Sequence, residues 1–500
     1  MKTNIGDIRR IFICGELNKR MQMPFNSKDL REALGNDLVS INDSYDFAIE
    51  DVVFDSREVT TNSLFIAKKG ERNDGHNFIK SVLEGSGGTA VLAEYRPATV
   101  EEDSRIILVS NTVKAFESLA VLARERIKGQ VIGVTGSVGK TSTKDVIFKI
   151  LSGYGRSYCN QQSFNNYIGV LTTLANMRAD TEFAVCEMGT SAPGEMEVLR
   201  NLVKPEIAVI TNVRPSHLSY FTMEENVAVE KLQIVDENTK LVILNADDGW
   251  YNFLRSRVEG KTKGKIMTFG TASGSDVRLL NYSLSDGFAN ATYVIEGEEY
   301  VCRLENINYN VAWNAMIALG LVKYFGLTLD TALDRIGRLE TPRGRNNIEY
   351  ATYSAKNGKA VNLTIINGSY NAVVPDTFIG GLKLMADIHS LGRTARKVCL
   401  WGDMLETGDK ASEFHLGLRK SVIKNGIDLL VTIGDNMKKL SESLENTNIG
   451  LIHFDSIGDL IADIKNILAD GDLVFIKSSK GMKTYEVVNS LVEDKMKLFV

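Results

Sequence analysis

Short runs of apolar residues, separated by stretches of helical length, leave this chain few folds to adopt. VIGV (131–134), FAVCEMG (183–189), EIAVITNV (206–213) and LVILNADD (241–248) are strand-sized and apolar through their middles. Strands of that kind are covered on both faces, as in a parallel sheet with helices on either side. Each run ends in a polar or acidic residue, and ligands of such sheets bind where the strands end. After TPRGRNN (341–347) the pattern restarts with VNLTIING (361–368), KVCLWGDM (397–404), DLLVTIGD (428–435) and LVFIKSS (473–479). Upstream lies a smaller α/β unit. It comprises a charged extension over residues 1 to 22, a helix over KDLREALG capped by Ser27, strand-like FDSREV and SLFIAKKG, and a helix ending near Gly85. The expected architecture is α/β with three domains, 1–112, 113–342 and 343–500, and with active sites between them.

Composition narrows the function classes. With 44% hydrophobic and 24% charged residues this is an ordinary globular chain. A net charge of −5 lacks the basic excess of a nucleic-acid binder. The first residues hold no apolar core of ~7–15 residues, as a secretory signal would. No stretch approaches the ~18 apolar residues that cross a bilayer. The five cysteines (Cys14, Cys159, Cys186, Cys302, Cys399) are scattered and never form C-x-x-C, which reads as reduced thiols. A cytoplasmic monomer is expected, with no membrane insertion and no nucleic-acid partner.

The sharpest local signal is VIGVTGSVGKTSTKD (131–145), a strand, a Gly-rich turn and a helix whose Val146, Ile147, Ile150 and Leu151 form one stripe. Backbone N–H groups of such a turn (Thr135, Gly136, Ser137, Gly139), with the helix N-terminus, cradle phosphate oxygens. Lys140 then reaches the β- and γ-phosphates, and Thr141 holds Mg²⁺. ATP and Mg²⁺ are the expected cofactors. One departure from G-x-x-x-x-G-K-[ST] is Val134, which stands where the first glycine belongs.

A turn written T-G-S-x-G-K-T, with further blocks in a set order, resembles the Mur ligase family over roughly residues 50–500. Within that family it resembles the branch joining D-alanyl-D-alanine to a UDP-N-acetylmuramoyl tripeptide in peptidoglycan precursor synthesis. The resemblance implies an ATP-dependent ligase that makes a C–N bond through an acyl phosphate. It also implies a UDP-binding first domain, a P-loop ATPase domain and a Rossmann-like last domain. FDSREVTTNSLFIAKKGERNDGHNFI (54–79) matches the uridine-nucleotide domain, placing Ser56 and Arg57 at the uridine or diphosphate with Asp74 and His76 nearby. FAVCEMGTSAPGEM (183–196) makes Glu187 a Mg²⁺ ligand, since hard cations take carboxylate oxygens. SFNNYIG (163–169) assigns Asn165 and Asn166 to substrate binding.

In NVRPSHLSYFTMEENVAVEKLQI (212–234), His217 and Lys231 have the spacing of the family's metal-binding histidine and carbamylated lysine. Carbamylation needs a neutral amine, so such a site must depress the lysine pKa by burial or nearby cations. INYNVAWNAMIAL (307–319) resembles an H-N-x-x-N-A-x-A helix and puts Asn310 and Asn314 at the adenine, with Tyr309 replacing the histidine. Arg345, in PRGR, matches an arginine that reaches the γ-phosphate when the domains close. LWGDMLETGDKASEFH (400–415) places Asp403, Glu406 and His415 near the incoming dipeptide or the interdomain cleft. Catalysis is thereby assigned to Lys140, Lys231, His217 and Arg345; for the amine, His415 is the candidate base.

Departures from the family pattern cluster late in the chain. IINGSYNAVVPDTF (365–378) has Asn367 and Gly368 where the family has paired acids, with an extra residue before Pro375. Ser478 and Lys480 replace Gly and Arg of a closing K-G-S-R segment, and Gln233 replaces a glutamate. The altered 367–368 pair keeps open a Mur-type ligase for a different carboxylate and amine. A non-catalytic nucleotide-binding relative is the other alternative, although ATP binding alone would not require Glu187, His217 and Lys231.

Overall fold

Three sheets, each drawn from its own stretch of chain, carry the architecture. The computed structural model describes residues 24–70, 73–85, 87–355, 358–392 and 394–492. The charged extension expected over residues 1 to 22, and Cys14, lie outside the described residues. The first sheet orders its strands Leu38–Ser40, Ile106–Val109, Ala90–Ala93, Ser63–Ile66 and Asp51–Val53, all parallel except the first. The second has nine strands. From Ser157–Cys159 through Phe183–Glu187, Gln130–Thr135, Ile207–Ile210, Leu241–Asn245 and Lys265–Gly270 to Val277–Ser285 neighbours run parallel. Strands Phe288–Ile295 and Glu298–Leu304 then add antiparallel. In the third, Ala360–Gly368, Leu473–Lys477, Lys397–Gly402, Leu429–Ile433 and Gly450–Phe454 are parallel, and Asn347–Ser354 pairs antiparallel at the edge.

The apolar runs therefore become parallel strands, as expected, and the α/β class holds. The antiparallel strands were missed, although burial alternates residue by residue along Phe288–Ile295, the signature of a strand with one buried face. Two local readings are corrected. FDSREV is no strand: Asp55 caps a 3₁₀ turn, Ser56–Glu58, that follows strand Asp51–Val53. Ser27 does not cap the first described helix either. Asn26 does, in a capping box with Asp29, while the Ser27 hydroxyl accepts a bond from Phe47 N–H at 2.8 Å.

The expected stripe Val146, Ile147, Ile150 and Leu151 is buried against strand residues Ile132 and Val134 and against Val311, Ala315 and Leu319 of helix Tyr309–Tyr324. At about 1.5–3 kcal/mol per large buried aliphatic side chain, this packing fixes the helix that starts at Lys140. That helix carries the phosphate-loop residues. No helix among the described residues is long and apolar enough to cross a membrane.

Candidate active site

Strand Gln130–Thr135 delivers the chain into a turn that only glycine can make. Gly136 has φ +146°, and a Cβ there would lie 1.9 Å from Thr211 Oγ1. Gly139, at φ +87°, ends the turn as the residue before helix Lys140–Leu151. The missing first glycine is explained by register. Val134 is a fully buried strand residue between Glu187 and Val209, so the turn begins only after Thr135. Lys140 folds back across the loop, its Nζ donating to Gly136 O at 2.7 Å. Desolvation lowers its pKa, opposed by Glu187 and reinforced by Arg345.

Glu187, 1% exposed, is the hub. Its Oε1 accepts from Thr141 Oγ1 at 3.0 Å and from Asn165 Nδ2 at 2.6 Å, while Arg345 Nη2 donates to Thr141 Oγ1 at 3.1 Å. Asn160 brackets the same residue, accepting from its N–H at 2.5 Å and donating to its carbonyl at 3.1 Å. Oε2 is buried with no hydrogen-bond partner. A buried carboxylate oxygen without a donor is costly unless a cation meets it, so the site fits a hard divalent ion.

Lys231, in helix Glu224–Leu232, is 3% exposed. Burial pushes its pKa well below the usual lysine value, and the Lys140 charge pushes it the same way. Its neighbour Glu230 is occupied elsewhere, accepting from Gly194 N–H and Met196 N–H at 2.8 and 2.7 Å. His217 sits at φ +53°, with Nδ1 2.7 Å from Glu406 Oε2. Burial lowers its pKa against the pull of Glu406. A carboxylate on Nδ1 fixes that nitrogen as the N–H and leaves the Nε2 lone pair for a metal. Among the described residues no three His, Cys, Asp or Glu side chains are grouped so as to hold a metal ion by themselves. Any metal here would thus lean on Glu187, His217, the Thr141 hydroxyl and a modified Lys231.

A cleft beside the phosphate loop is lined by Val138, Gly139, Asn310, Asn314, Arg345 and Lys477. Asn310 is exposed, while buried Asn314 accepts from Thr143 Oγ1 at 3.2 Å. The cap of helix Tyr309–Tyr324 is Asn308, not Asn310, which leaves the Asn310 amide free of that duty.

The residues assigned to substrate are spread over loops and turns beside all three sheets. Ser56 opens the 3₁₀ turn, and exposed Arg57 grips Asp55 through Nε at 2.9 Å and Nη2 at 2.6 Å. His76 is buried: Nδ1 donates to Asp74 Oδ1 at 2.6 Å and Nε2 accepts from Glu94 N–H at 3.0 Å. Asn166 caps helix Tyr167–Ala175 through Gly169 N–H. Asp403 accepts from Met437 N–H at 2.8 Å, at the N-terminus of helix Asp435–Glu442.

His415 is fully buried, with Nε2 accepting from Met404 N–H at 2.9 Å and Nδ1 donating to Ala411 O at 2.6 Å. With both nitrogens engaged it is no base for an amine. Instead it pins the loop that carries Glu406. Burial lowers its pKa, against Ala411 O and Asp403. The unfolded chain, titrating near the ordinary ~6.5, binds more protons below that pH, so stability should fall as pH falls. His415→Gln should flatten that slope; equal slopes of the urea midpoint between pH 7.5 and 5.5 would refute it.

Residues 134–322 match the Mur ligase middle domain and residues 48–127 the catalytic domain of the Mur ligase family. The UDP-N-acetylmuramoyl-tripeptide–D-alanyl-D-alanine ligase of Bacillus subtilis (strain 168) is 32% identical over 452 residues, 89% of this chain and 93% of that one. The chain belongs to the Mur ligase family. The equally named protein of Escherichia coli (strain K12) is 29% identical, with 90% of this Mur ligase and 95% of its own length aligned. MurF from Acinetobacter baumannii shares the fold at TM-score 0.75 and 23% identity, covering 94% of this chain and 99% of that chain. MurF ligase from Thermotoga maritima, solved in complex with ADP, gives TM-score 0.70 at 26% identity, with 89% and 98% covered.

Two further residues of this Mur ligase escaped the sequence reading. Tyr370 lies beneath the Arg345 guanidinium, 5.1 Å from its ring centroid, and its hydroxyl accepts from Lys480 Nζ at 2.9 Å. Lys477 is buried in the cleft wall, its pKa pushed down to about 7 by burial and by Arg345. Both lie within quoted blocks; a lone lysine closing the apolar run LVFIK was the available signal. The lost acidic pair also has a neighbour in compensation. Asn367 Nδ2 donates to Glu349 Oε1 at 2.7 Å, so strand Asn347–Ser354 brings a carboxylate beside that position.

Proposed function

We propose that this Mur ligase joins D-alanyl-D-alanine to a UDP-N-acetylmuramoyl tripeptide, the reaction in the names of its relatives from B. subtilis, Rickettsia prowazekii and E. coli. It is an ATP-dependent, amide-forming ligase of peptidoglycan precursor synthesis. The observation that carries this reading is the meeting of Lys140, Thr141 and Arg345 around the Glu187 carboxylate, with one buried oxygen left over. The tripeptide's terminal carboxylate attacks the γ-phosphorus of ATP, releasing ADP and leaving an acyl phosphate. The dipeptide amine then adds to the carbonyl carbon, phosphate departs, and the amine proton passes to solvent.

Lys140 and Arg345 spread the charge of phosphoryl transfer, where positioning and electrostatics carry the catalysis. Thr141, Glu187 and His217 are the residues that would hold Mg²⁺, which supplies charge neutralisation on the phosphates. Lys231 is proposed as a carbamate, its neutral buried amine taking up CO₂; Glu406 orients His217. Asn310 and Asn314 face the adenine. Ser56, Arg57, Asp74 and His76 form the UDP end, and Asn165 and Asn166 support the substrate side by fixing Glu187 and a helix start. Asp403 and His415 shape the dipeptide side. The division into 1–112, 113–342 and 343–500 belongs to this proposal, supported by sheets spanning 38–109, 130–304 and 347–477. So does a monomer working in the cytoplasm.

The direct test incubates the protein with ATP, Mg²⁺, candidate UDP-muramoyl tripeptides and D-Ala-D-Ala, reading product mass and phosphate release. No amide product with any tripeptide would overturn the reading. Arg57→Ala should raise KM for the UDP-peptide at least ~10-fold, as expected for one charge-assisted hydrogen bond, and leave KM for ATP unchanged. A loss confined to ATP affinity would move Arg57 out of the UDP site.

A further inference from the structure

A second cavity, of about 320 Å³, shares no lining residue with the nucleotide cleft. It lies beside the first half of strand Lys265–Gly270, against the loop 273–276, the turn at Glu296–Gly297, and Gly320 and Lys323 of helix Tyr309–Tyr324. Strand register sets Lys265 level with Leu241, Ile207 and Ile132, short of the phosphate loop that starts after Thr135. The opening has a topological cause. Strands Lys265–Gly270 and Val277–Ser285 pair only through Phe269↔Val277 and Gly270↔Arg278, so the sheet splits along the rest of the first strand. Its size falls in the ~300–1,000 Å³ range of small-molecule pockets.

The lining has donors without acceptors. Arg278 Nε and Ser275 Oγ are both buried atoms with no hydrogen-bond partner. Each carboxylate of the wall has one oxygen engaged elsewhere: Asp276 Oδ2 accepts from Thr268 N–H at 2.7 Å and from its hydroxyl at 2.6 Å, and Glu296 Oε2 pairs with Lys323 at 2.9 Å. Lys265 adds a third cation to the wall. A buried guanidinium nitrogen and a buried hydroxyl left unpaired are costly, and a guanidinium presents parallel N–H donors that suit two oxygens of one anion. We infer that this cavity binds a small oxyanion, a phosphate or carboxylate group, held by Arg278 with Ser275 and Lys265.

The test uses the full chain saturated with Mg²⁺ and a non-hydrolysable ATP analogue, so that the phosphate loop is filled. Inorganic phosphate and, in a second arm, succinate are titrated at constant ionic strength while thermal unfolding is followed. Tm should rise with anion concentration, because a ligand of the folded state alone stabilises it. The apparent Kd should weaken at least ~10-fold in Arg278→Gln, and by less in Ser275→Ala, with ligase turnover unchanged in both. A response to phosphate alone assigns the site to phosphorylated ligands, and one to succinate alone to carboxylates. No rise with either anion overturns the inference, as does a rise that persists in Arg278→Gln. Should that variant fail to fold, an unaltered response in Ser275→Ala and Lys265→Gln overturns it equally.

Discussion

Lys231→Ala should lower ligase turnover by well over ~10²-fold, the scale on which loss of one preorganised charged group is felt, and acetate should restore part of it. Lys231 is buried, its amine is pushed toward the neutral form, and its neighbour Glu230 is tied to Gly194 and Met196. A neutral amine is the state that takes up CO₂, and a small carboxylate would stand in for the proposed carbamate. Wild-type activity should fall when dissolved CO₂ is removed. It should also fall with pH, because the fraction of uncharged amine shrinks as pH drops through the lowered lysine pKa. Rescue by small amines instead of acetate, or unimpaired turnover, would show that Lys231 acts as an ammonium or only as packing.

Lys140→Ala should also cost at least ~10²-fold in turnover, while UDP-substrate binding stays within about twofold of wild type. The ammonium already lies across the phosphate loop, 2.7 Å from Gly136 O, in a neighbourhood shared with Glu187 and Arg345. Among the described residues no hydrogen bond or ion pair links it to Arg57 or His76, which sit in 3₁₀ turns beside the first sheet. Isothermal titration with the UDP-peptide, set against single-turnover phosphate release, separates the two effects. Equal losses in both would mean that nucleotide and UDP-peptide share one site.

Legibility in the sequence followed the range of the interaction. Strand Leu241–Asn245 and the turn at Gly136 announce themselves within a dozen residues, because wholly apolar runs and a steric demand for glycine are local. The capping of the first helix was misplaced by one residue. Ser27 and Asn26 are both good caps, and only the reciprocal bond with Asp29 decides between them. The outer strands of the nine-stranded sheet were legible but missed: their alternation is local, and so is their pairing, with Ser285 opposite Phe288 and Ile295 opposite Glu298 across the two-residue turns Asp286-Gly287 and Glu296-Gly297. Tertiary facts were beyond reach. Glu406 lies 189 residues from His217, and no pattern in either segment foretells that one orients the other. His415 looked available because its block matched; only its burial between Met404 N–H and Ala411 O shows both nitrogens spent.

Arg345 and Glu406 both come from beyond the central sheet, yet one touches Thr141 and the other His217. ATP bound to the central part alone would therefore meet a half-built charge distribution, with its γ-phosphate slow to leave. Any movement that drew the third sheet away would take Arg345 from Thr141 and Glu406 from His217 together, so the two contacts would be lost or made as one. An acyl phosphate that needed both contacts would form only with the third sheet seated, when that sheet would shield it from water. On that reading, commitment to chemistry and protection of the intermediate would be one event.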